Sequence, residues 1–355
     1  MPVKLTEVAR LAGVSLATAS RVLNGSSRTP APDIAERVRA AAEELGYVAN
    51  AQAQALARST TGLVGLVVHD IADPYFSAIA HGVQQAALAS GHQVLLAGTD
   101  LEGDAGSPGG AELAAVNAFI SYRTDAIILA ASRLLNEDAR LIKALGRYTK
   151  NGGRVVTLGA SAIADAQVLR VGHREGAVAL VSALLKQGMR RFVILAGPHE
   201  RNTARIRVQG FTETLAAAGL EPVAVVEGAF TSQGGYDSTL AFLDSLDGRS
   251  LDGKDSQGGS AFCMLAANDV MALGAMAALR SRGLRIPEDV QVAGFDDIPT
   301  LRDHFPGLTT YRLPLEEIGR LAATMALSPS TRQLSSVTGT VVLRESAGDG
   351  TTQHD

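Results

Sequence analysis

Leu5–Ser26 reads LTEVARLAGVSLATASRVLNGS, and this stretch decides the architecture of the N-terminus. Leu5, Val8, Ala9 and Ala12 recur at helical spacing, which gives a first short helix one apolar face. Thr6 stands where a hydroxyl can accept from an orphan backbone N–H at the start of that helix. Gly13 supplies a permissive backbone for a tight turn. Ser15 then caps a second helix, with Ala19, Val22 and Leu23 facing inward and Leu16, Ala17, Thr18 and Arg21 turned out near its N-terminal end. Two short helices arranged this way place the second in the major groove of DNA, where side chains from its N-terminal end meet base edges. The same spacing also suits a plain helical hairpin packed on another element, because short helix-turn-helix patterns recur by chance.

The next residues favour the DNA reading. Pro32–Leu45, PDIAERVRAAAEEL, predicts a third amphipathic helix whose Ile34, Val38, Ala41, Ala42 and Leu45 close a small three-helix core, and Gly46 stops it. Tyr47–Arg58, YVANAQAQALAR, has helix-forming composition but little apolar bulk. A helix of about ten residues is marginal in water, so this linker is expected to fold only on DNA or against a partner copy.

Val8-Ala9, Ala12-Gly13-Val14-Ser15, Thr18 and Ser20-Arg21-Val22-Leu23-Asn24, followed by Gly46-Tyr47, Asn50, Ala53 and Leu56, resemble the head and linker of the LacI/GalR family of transcription regulators, and the resemblance covers nearly the whole chain. It implies DNA contacts from Thr6, Ser15, Leu16, Ala17, Thr18, Ser20, Arg21 and Asn24, and a hinge helix carrying Asn50, Ala53 and Leu56. Leu56 stands where the family has a leucine that wedges into the minor groove, a device that kinks a base step. Ala19 stands where the family often has valine, which thins the packing behind the reading helix. Ala49 stands where it often has proline, which removes a rigid start to the hinge.

Charge is partitioned to match. The whole chain carries −4, yet residues 1–60 hold seven Lys/Arg against five Asp/Glu, a balance of +2 that leaves −6 for the remainder. So modest a basic footprint predicts that two heads act together. The single cysteine, Cys263, sits in the apolar run AFCMLAA and reads as a buried small hydrophobe rather than half of a disulfide. No apolar leader and no stretch of about twenty apolar residues is present, so the sequence predicts a cytoplasmic protein with no membrane partner.

From Gly62 onward, strand-like runs (Leu63–Val68, Val94–Ala97, Ala126–Ala130, Arg154–Leu158, Phe192–Ala196, Ala261–Ala266, Val290–Gly294) alternate with helical stretches such as Phe76–Ala89, Ala177–Gln187 and Met271–Arg282. Alternation of this kind predicts parallel sheets covered by helices on both faces, with ligands bound beyond the carboxyl ends of the strands. The family resemblance adds two doubly wound subdomains, similar to periplasmic sugar-binding proteins, with the chain crossing between them near Gly159–Ser161, Phe295–Asp297 and Arg312–Leu313. The expected fold class is therefore a small all-α helix-turn-helix head plus an α/β core of two doubly wound parallel-sheet subdomains. The expected boundaries are a head at 1–46, a hinge at 47–61, a core at 62–345 and a polar tail at 346–355. Within the core, one subdomain takes about 62–160 and 313–327, and the other about 161–312 and 328–345.

Candidate ligand residues lie just after strand ends: His69, Tyr75 and Phe76; Arg201, Thr203 and Arg207; Phe230; Asn268; and Asp296. Arg and Asp offer fixed forks for hydroxyl groups and the aromatic rings offer faces for a planar or cyclic ligand. Quieter readings stand beside these. Asn268 suits a helix cap, and Phe230, Tyr75 and Phe76 suit core packing. The resemblance implies that Arg207, Asn268 and Asp296 contact effector hydroxyls and that Phe230 stacks on the effector ring. Arg201 to Thr203, with Tyr75-Phe76, is similar to the branch with purine and ribose repressors. No P-loop, G-x-G-x-x-G after the first strand, G-x-S-x-G, H-E-x-x-H or C-x-x-C is present, so enzyme chemistry, metal and cofactor are not expected. A transport-type binding protein would share the cleft but not the head. The expectation is a homodimeric repressor of near-palindromic operator DNA, switched by a sugar, nucleoside or purine.

Overall fold

A computed structural model describes residues 3–24, 30–48, 60–99, 110–131, 138–159, 161–246, 262–328 and 335–348. The chain divides into two compact units, Met1–Gly62 and Leu63–Asp355.

The first unit holds α1 (Leu5–Leu11), α2 (Leu16–Asn24) and α3 (Pro32–Glu44). Val8, Ala9, Ala12, Ala19, Val38, Ala41 and Ala42 form its buried core, with Leu5, Val14, Val22, Leu23, Leu45 and Tyr47 packed around them. Gly13 and Gly46, at φ 63° and 61°, take the left-handed turns that end α1 and α3. Three sequence expectations change here. Thr6 lies inside α1; Lys4 is the cap residue, and its backbone N–H donates to the Glu7 carboxylate at 3.2 Å, half of a capping box. Val38, Ala41 and Ala42 are buried as expected, but at the start of α3 Ala35 is buried where Ile34 is only half-buried. Tyr47 belongs to the head rather than the hinge, since it packs on the core and its N–H donates to the Ala42 carbonyl at 2.8 Å. Hinge residues 49–59 lie outside the described residues.

In the second unit, β1 (Leu63–Val68), β2 (Gln93–Gly98), β3 (Ala126–Leu129), β4 (Arg154–Leu158), β5 (Gln167–Val171) and β11 (Ser335–Val337) make one parallel sheet in the order β11-β5-β4-β3-β1-β2. Side chains alternate across it. Val64, Leu66, Val68 and Ile128 join one core with Ile79 and Val83 of α4 (Pro74–Ala89) and Ile318 and Ala322 of α11 (Leu315–Leu327). Val67, Ile127 and Leu129 join the other, with Val116 and Phe119 of α5 (Gly110–Ser121) and Leu141, Leu145 and Tyr148 of α6 (Ala139–Lys150). Helices on both faces follow directly from that alternation. The second sheet, also parallel, runs β7-β6-β8-β9: Ala224–Glu227, Phe192–Ala196, Cys263–Ala266 and Gln291–Ala293. Around it lie α7 (His173–Lys186), α8 (Asn202–Ala217), α9 (Ser232–Asp244) and α10 (Asp269–Ser281). A short antiparallel pair, β10 (Thr310–Arg312) with β12 (Thr340–Val342), completes it.

The subdomain boundaries differ from those expected. Gln167–Val171 pairs with β4 (Val156 opposite Gln167) and Ser335–Val337 pairs with β5, so both belong to the first sheet. The chain therefore stays with the first sheet from β4 through β5, and the first crossing is not near Gly159–Ser161. The chain leaves the first sheet after Val171, returns after Arg312, and leaves again after Val337. Nor is the tail polar from 346. Ser346 and Ala347 are fully buried, and the Ser346 hydroxyl donates to the Val292 carbonyl at 2.6 Å and accepts from the Thr309 N–H at 2.8 Å. A backbone position this far inside needs its partners met, which fixes the end of the chain against β9.

Helices α4 and α11 cross with their backbones nearly touching. A Cβ on Gly82 would land on the Glu316 carbonyl, and one on Gly319 on the Ile79 carbonyl. Gly319→Ala is expected to force the helices apart and cost about 2 kcal/mol, read as a lower urea midpoint with unchanged slope.

Candidate DNA-reading helix and ligand cavity

The cap expected at Ser15 is present: its hydroxyl accepts from the Thr18 N–H at 3.1 Å. The two hydroxyls also meet at 2.8 Å, so Thr18 is half-buried and engaged within the turn rather than turned outward as expected. Leu16, at 48% exposure, Ala17 and Arg21 are the exposed residues of α2, while Ser20 is half-buried. Thr6 is exposed on α1. Asn24 ends α2; its side chain, and Asn50, Ala53 and Leu56, lie outside the described residues. Among the described side chains of α2, the exposed face thus presents a leucine, an alanine and one arginine.

Within the second unit, one cavity with about 720 Å³ of empty space opens at the carboxyl ends of the parallel strands, and all nine candidate ligand residues line it. His69 and Asp70 follow β1. Asp73 caps α4 by accepting from the Tyr75 N–H at 2.9 Å, which sets Tyr75 and Phe76 in the first turn. Their rings meet edge to face at 4.9 Å. Arg201, Thr203 and Arg207 come from the start of α8, Phe230 and Thr231 from the end of β7, Asn268 from β8 and Asp296 from β9. Gly197 is required beside Phe230, because a Cβ there would run into the ring. Asn268 does serve as a cap, its carboxamide oxygen accepting from the Met271 N–H at 2.9 Å, so its amide nitrogen is the end left for the cavity.

Arg207 and Asp296 form the charged centre. Arg207 is 2% exposed and faces the Asp296 carboxylate with both terminal nitrogens, at 2.6 and 3.2 Å. It also donates to the Ala267 carbonyl at 2.7 Å and to His173 Nδ1 at 3.2 and 3.4 Å, and its guanidinium lies 4.0 Å from the Phe295 ring centre. Each of its N–H donors is aimed at a protein acceptor, so its part in the cavity is to orient Asp296 and His173. Burial pushes the Asp296 carboxyl up, and the Arg207 fork opposes that rise. Asp296 sits at φ 118°, held by backbone bonds from its N–H to the Tyr311 carbonyl (2.8 Å) and from the Leu313 N–H to its own carbonyl (3.1 Å). A non-glycine residue kept there is over-determined by its surroundings, a pattern common at ligand sites. Burial also pushes the neighbouring Asp269 carboxyl to about 6; it accepts from Thr310 at 2.7 Å and from the Ile298 N–H at 2.9 Å.

His173 was not among the expected residues, although it lines the cavity. It opens α7 immediately after β5, and the signal that would have found it is that strand, which the sequence pattern did not single out. Burial and the adjacent Arg207 hold its imidazole well below the usual histidine range, so it is neutral.

Comparison with known proteins agrees with this geometry. Residues 4–50 match the family described as bacterial regulatory proteins, lacI family, and residues 181–347 match a periplasmic binding protein-like domain. The transcriptional regulator GalR of Escherichia coli (strain K12) is 32% identical over 329 residues, 91% of this chain and 88% of that one. The transcriptional repressor PurR of Haemophilus influenzae (strain PittEE) is 29% identical over 331 residues, 93% and 91% of the two chains. The crystal structure of the lac repressor dimer bound to operator and the anti-inducer ONPF superposes with a TM-score of 0.79 at 27% identity, covering 98% of this chain and 100% of that one.

Replacing the guanidinium should expose its balancing role. Arg207→Met leaves Asp296 buried without its cation and is expected to cost about 3–5 kcal/mol near neutral pH. The Asp296 carboxyl, freed from the group that holds it down, then has a folded-state pKa raised further above its unfolded value. Such a group withdraws stability as pH rises from its unfolded toward its folded value. The wild-type carboxyl, pushed up to about 8, does the same up to that pH, so the melting-temperature gap to wild type should stay level below about pH 8 and widen above it.

Proposed function

Because this chain belongs to the LacI family of bacterial regulatory proteins, we propose that it is a transcriptional repressor that binds a near-palindromic operator as a homodimer, its affinity set by a small effector in the core cavity. The observation that carries this reading is the convergence of aromatic rings, carboxylates and a buried arginine on one cavity, in a chain whose head turns Leu16, Ala17 and Arg21 outward. The lac repressor, crystallised as a dimer on operator, supports the two-head arrangement, and the head charge of +2 needs it. Asn50, Ala53 and Leu56 are assigned to a hinge that folds on DNA, with Leu56 as the minor-groove wedge. The effector is a sugar, nucleoside or purine: uncharged edges fit the mixed donors and acceptors, and Tyr75, Phe76 and Phe230 offer faces to a ring. We assign the cavity to binding and not to catalysis, as befits relatives that are regulators. No helix among the described residues is long and apolar enough to cross a membrane. We place the protein in the cytoplasm, with its DNA.

Two measurements test this. Arg21→Ala is expected to weaken operator binding in a mobility-shift assay by about tenfold or more, since a good base contact contributes about 1–3 kcal/mol; unchanged affinity would remove α2 from the groove. A thermal-shift screen with D-ribose, D-galactose, cellobiose, adenosine and hypoxanthine is expected to raise the melting temperature for at least one compound. The same compound should alter operator affinity, and binding without any such change would sink the coupling.

A further inference from the structure

His173 is nine-tenths buried and lines the cavity, and Arg207 reaches its Nδ1 from two nitrogens, at 3.2 and 3.4 Å. A guanidinium has only donors, so Nδ1 must be the unprotonated, accepting nitrogen. A neutral imidazole with Nδ1 unprotonated carries its proton on Nε2. Among the described residues Nε2 has no hydrogen-bond partner. A buried ring N–H left without a protein acceptor at a cavity wall is a donor held ready for something that enters. The charges nearby narrow what that is. Asp70, Asp73 and Asp296 line the same cavity against two cations, Arg201 and Arg207, and the positive charge of Arg207 is already matched by Asp296. A phosphate or carboxylate placed against His173 would meet carboxylates without gaining the Arg207 cation.

We infer that His173 donates its Nε2–H to an uncharged oxygen of the effector, a hydroxyl, ring or carbonyl oxygen, and that the cavity therefore selects unphosphorylated sugars, nucleosides or bases over their phosphates. This deepens the effector reading above and rests on it. Arg207 fixes the tautomer, His173 presents the donor, and Asp296 on the other side of Arg207 presents an acceptor. An uncharged hydroxyl can accept from the ring or donate to the carboxylate, whereas an anionic oxygen can only accept.

The test uses the full-length protein. In the ligand-free protein, ¹⁵N spectra of the imidazole should show the His173 proton on Nε2 and none on Nδ1; a proton on Nδ1 overturns the inference whatever the effector. Calorimetry with the five compounds of the thermal screen follows. His173→Phe, which keeps a flat ring without an N–H, should weaken the compound that wild type binds by about tenfold to a hundredfold. His173→Gln, whose amide restores an N–H, should recover most of that loss. Analogues lacking one oxygen at a time should include one that loses affinity for wild type but not for His173→Phe, a pattern that altered packing alone does not produce. Equal binding by wild type and His173→Phe overturns the inference, as does tighter binding of the phosphorylated form, such as D-ribose 5-phosphate over D-ribose. If wild type binds none of the five, the effector class proposed above falls, and the imidazole spectrum still decides the His173 assignment.

Discussion

The buried pair between Arg207 and Asp296 is the constraint on which the cavity depends. Bringing both ions out of water costs several kcal/mol each, and their attraction offsets this only when the remaining donors and acceptors are met. Here they are met by the Ala267 carbonyl after β8, by His173 at the start of α7, and by the face of Phe295. Three separate pieces of chain, at Ala267, at His173 and at Phe295-Asp296, are thus tied to one guanidinium. A hydrophobic pair of similar volume would give equal or greater stability. What the ion pair adds is orientation, because it sets the tautomer of a histidine and the direction of a carboxylate at the cavity wall.

The same region governs how the two sheets are joined. Asp296 and Asp297 both hold positive φ, and Asp297 accepts from Arg312 at 2.6 Å and from Arg344 at 2.7 Å. Asp269 ties the start of α10 to Thr310 and to the Ile298 N–H. The three passages of chain between the sheets, at Val171, Arg312 and Val337, lie next to these carboxylates or to His173 in sequence or in pairing. His173 lies two residues after the crossing at Val171, and Asp296 pairs with Arg312 at another. An effector can favour one arrangement of the sheets over another only through differential contacts.

Much of this was legible in the sequence for identifiable reasons. The head was readable because its apolar positions repeat at helical spacing and glycines stand at both helix ends. That nine residues would meet at one cavity was readable because they follow strands rich in buried aliphatics, such as Phe192–Ala196 and Cys263–Ala266. What failed were short or half-buried elements. Gln167–Val171 has an exposed arginine at 170 and a single fully buried residue, Leu169, so it lacks the apolar run that marked its neighbours. Missing it displaced the first crossing and hid His173. The pairs at Thr310–Arg312 and Thr340–Val342 are three residues long, below what periodicity resolves. The half-burial of Thr18 comes from its hydroxyl meeting the Ser15 cap, which spacing alone does not reveal.

The division of charge bears on how sensitive such a regulator can be. A head with a balance of +2 and one exposed arginine on α2 contributes a modest phosphate attraction, and a weak single head makes binding depend steeply on whether two act at once. The linker proposed as a hinge has little apolar bulk, which would place a second marginal equilibrium in series with the first. When both steps lie near balance, a coupling of about 1–3 kcal/mol from the core changes operator affinity by about 5- to 150-fold. Strong heads or a rigid hinge would hold the operator whatever occupied the cavity. Weakness at the DNA end is therefore what lets a small bias in the core be felt at the operator.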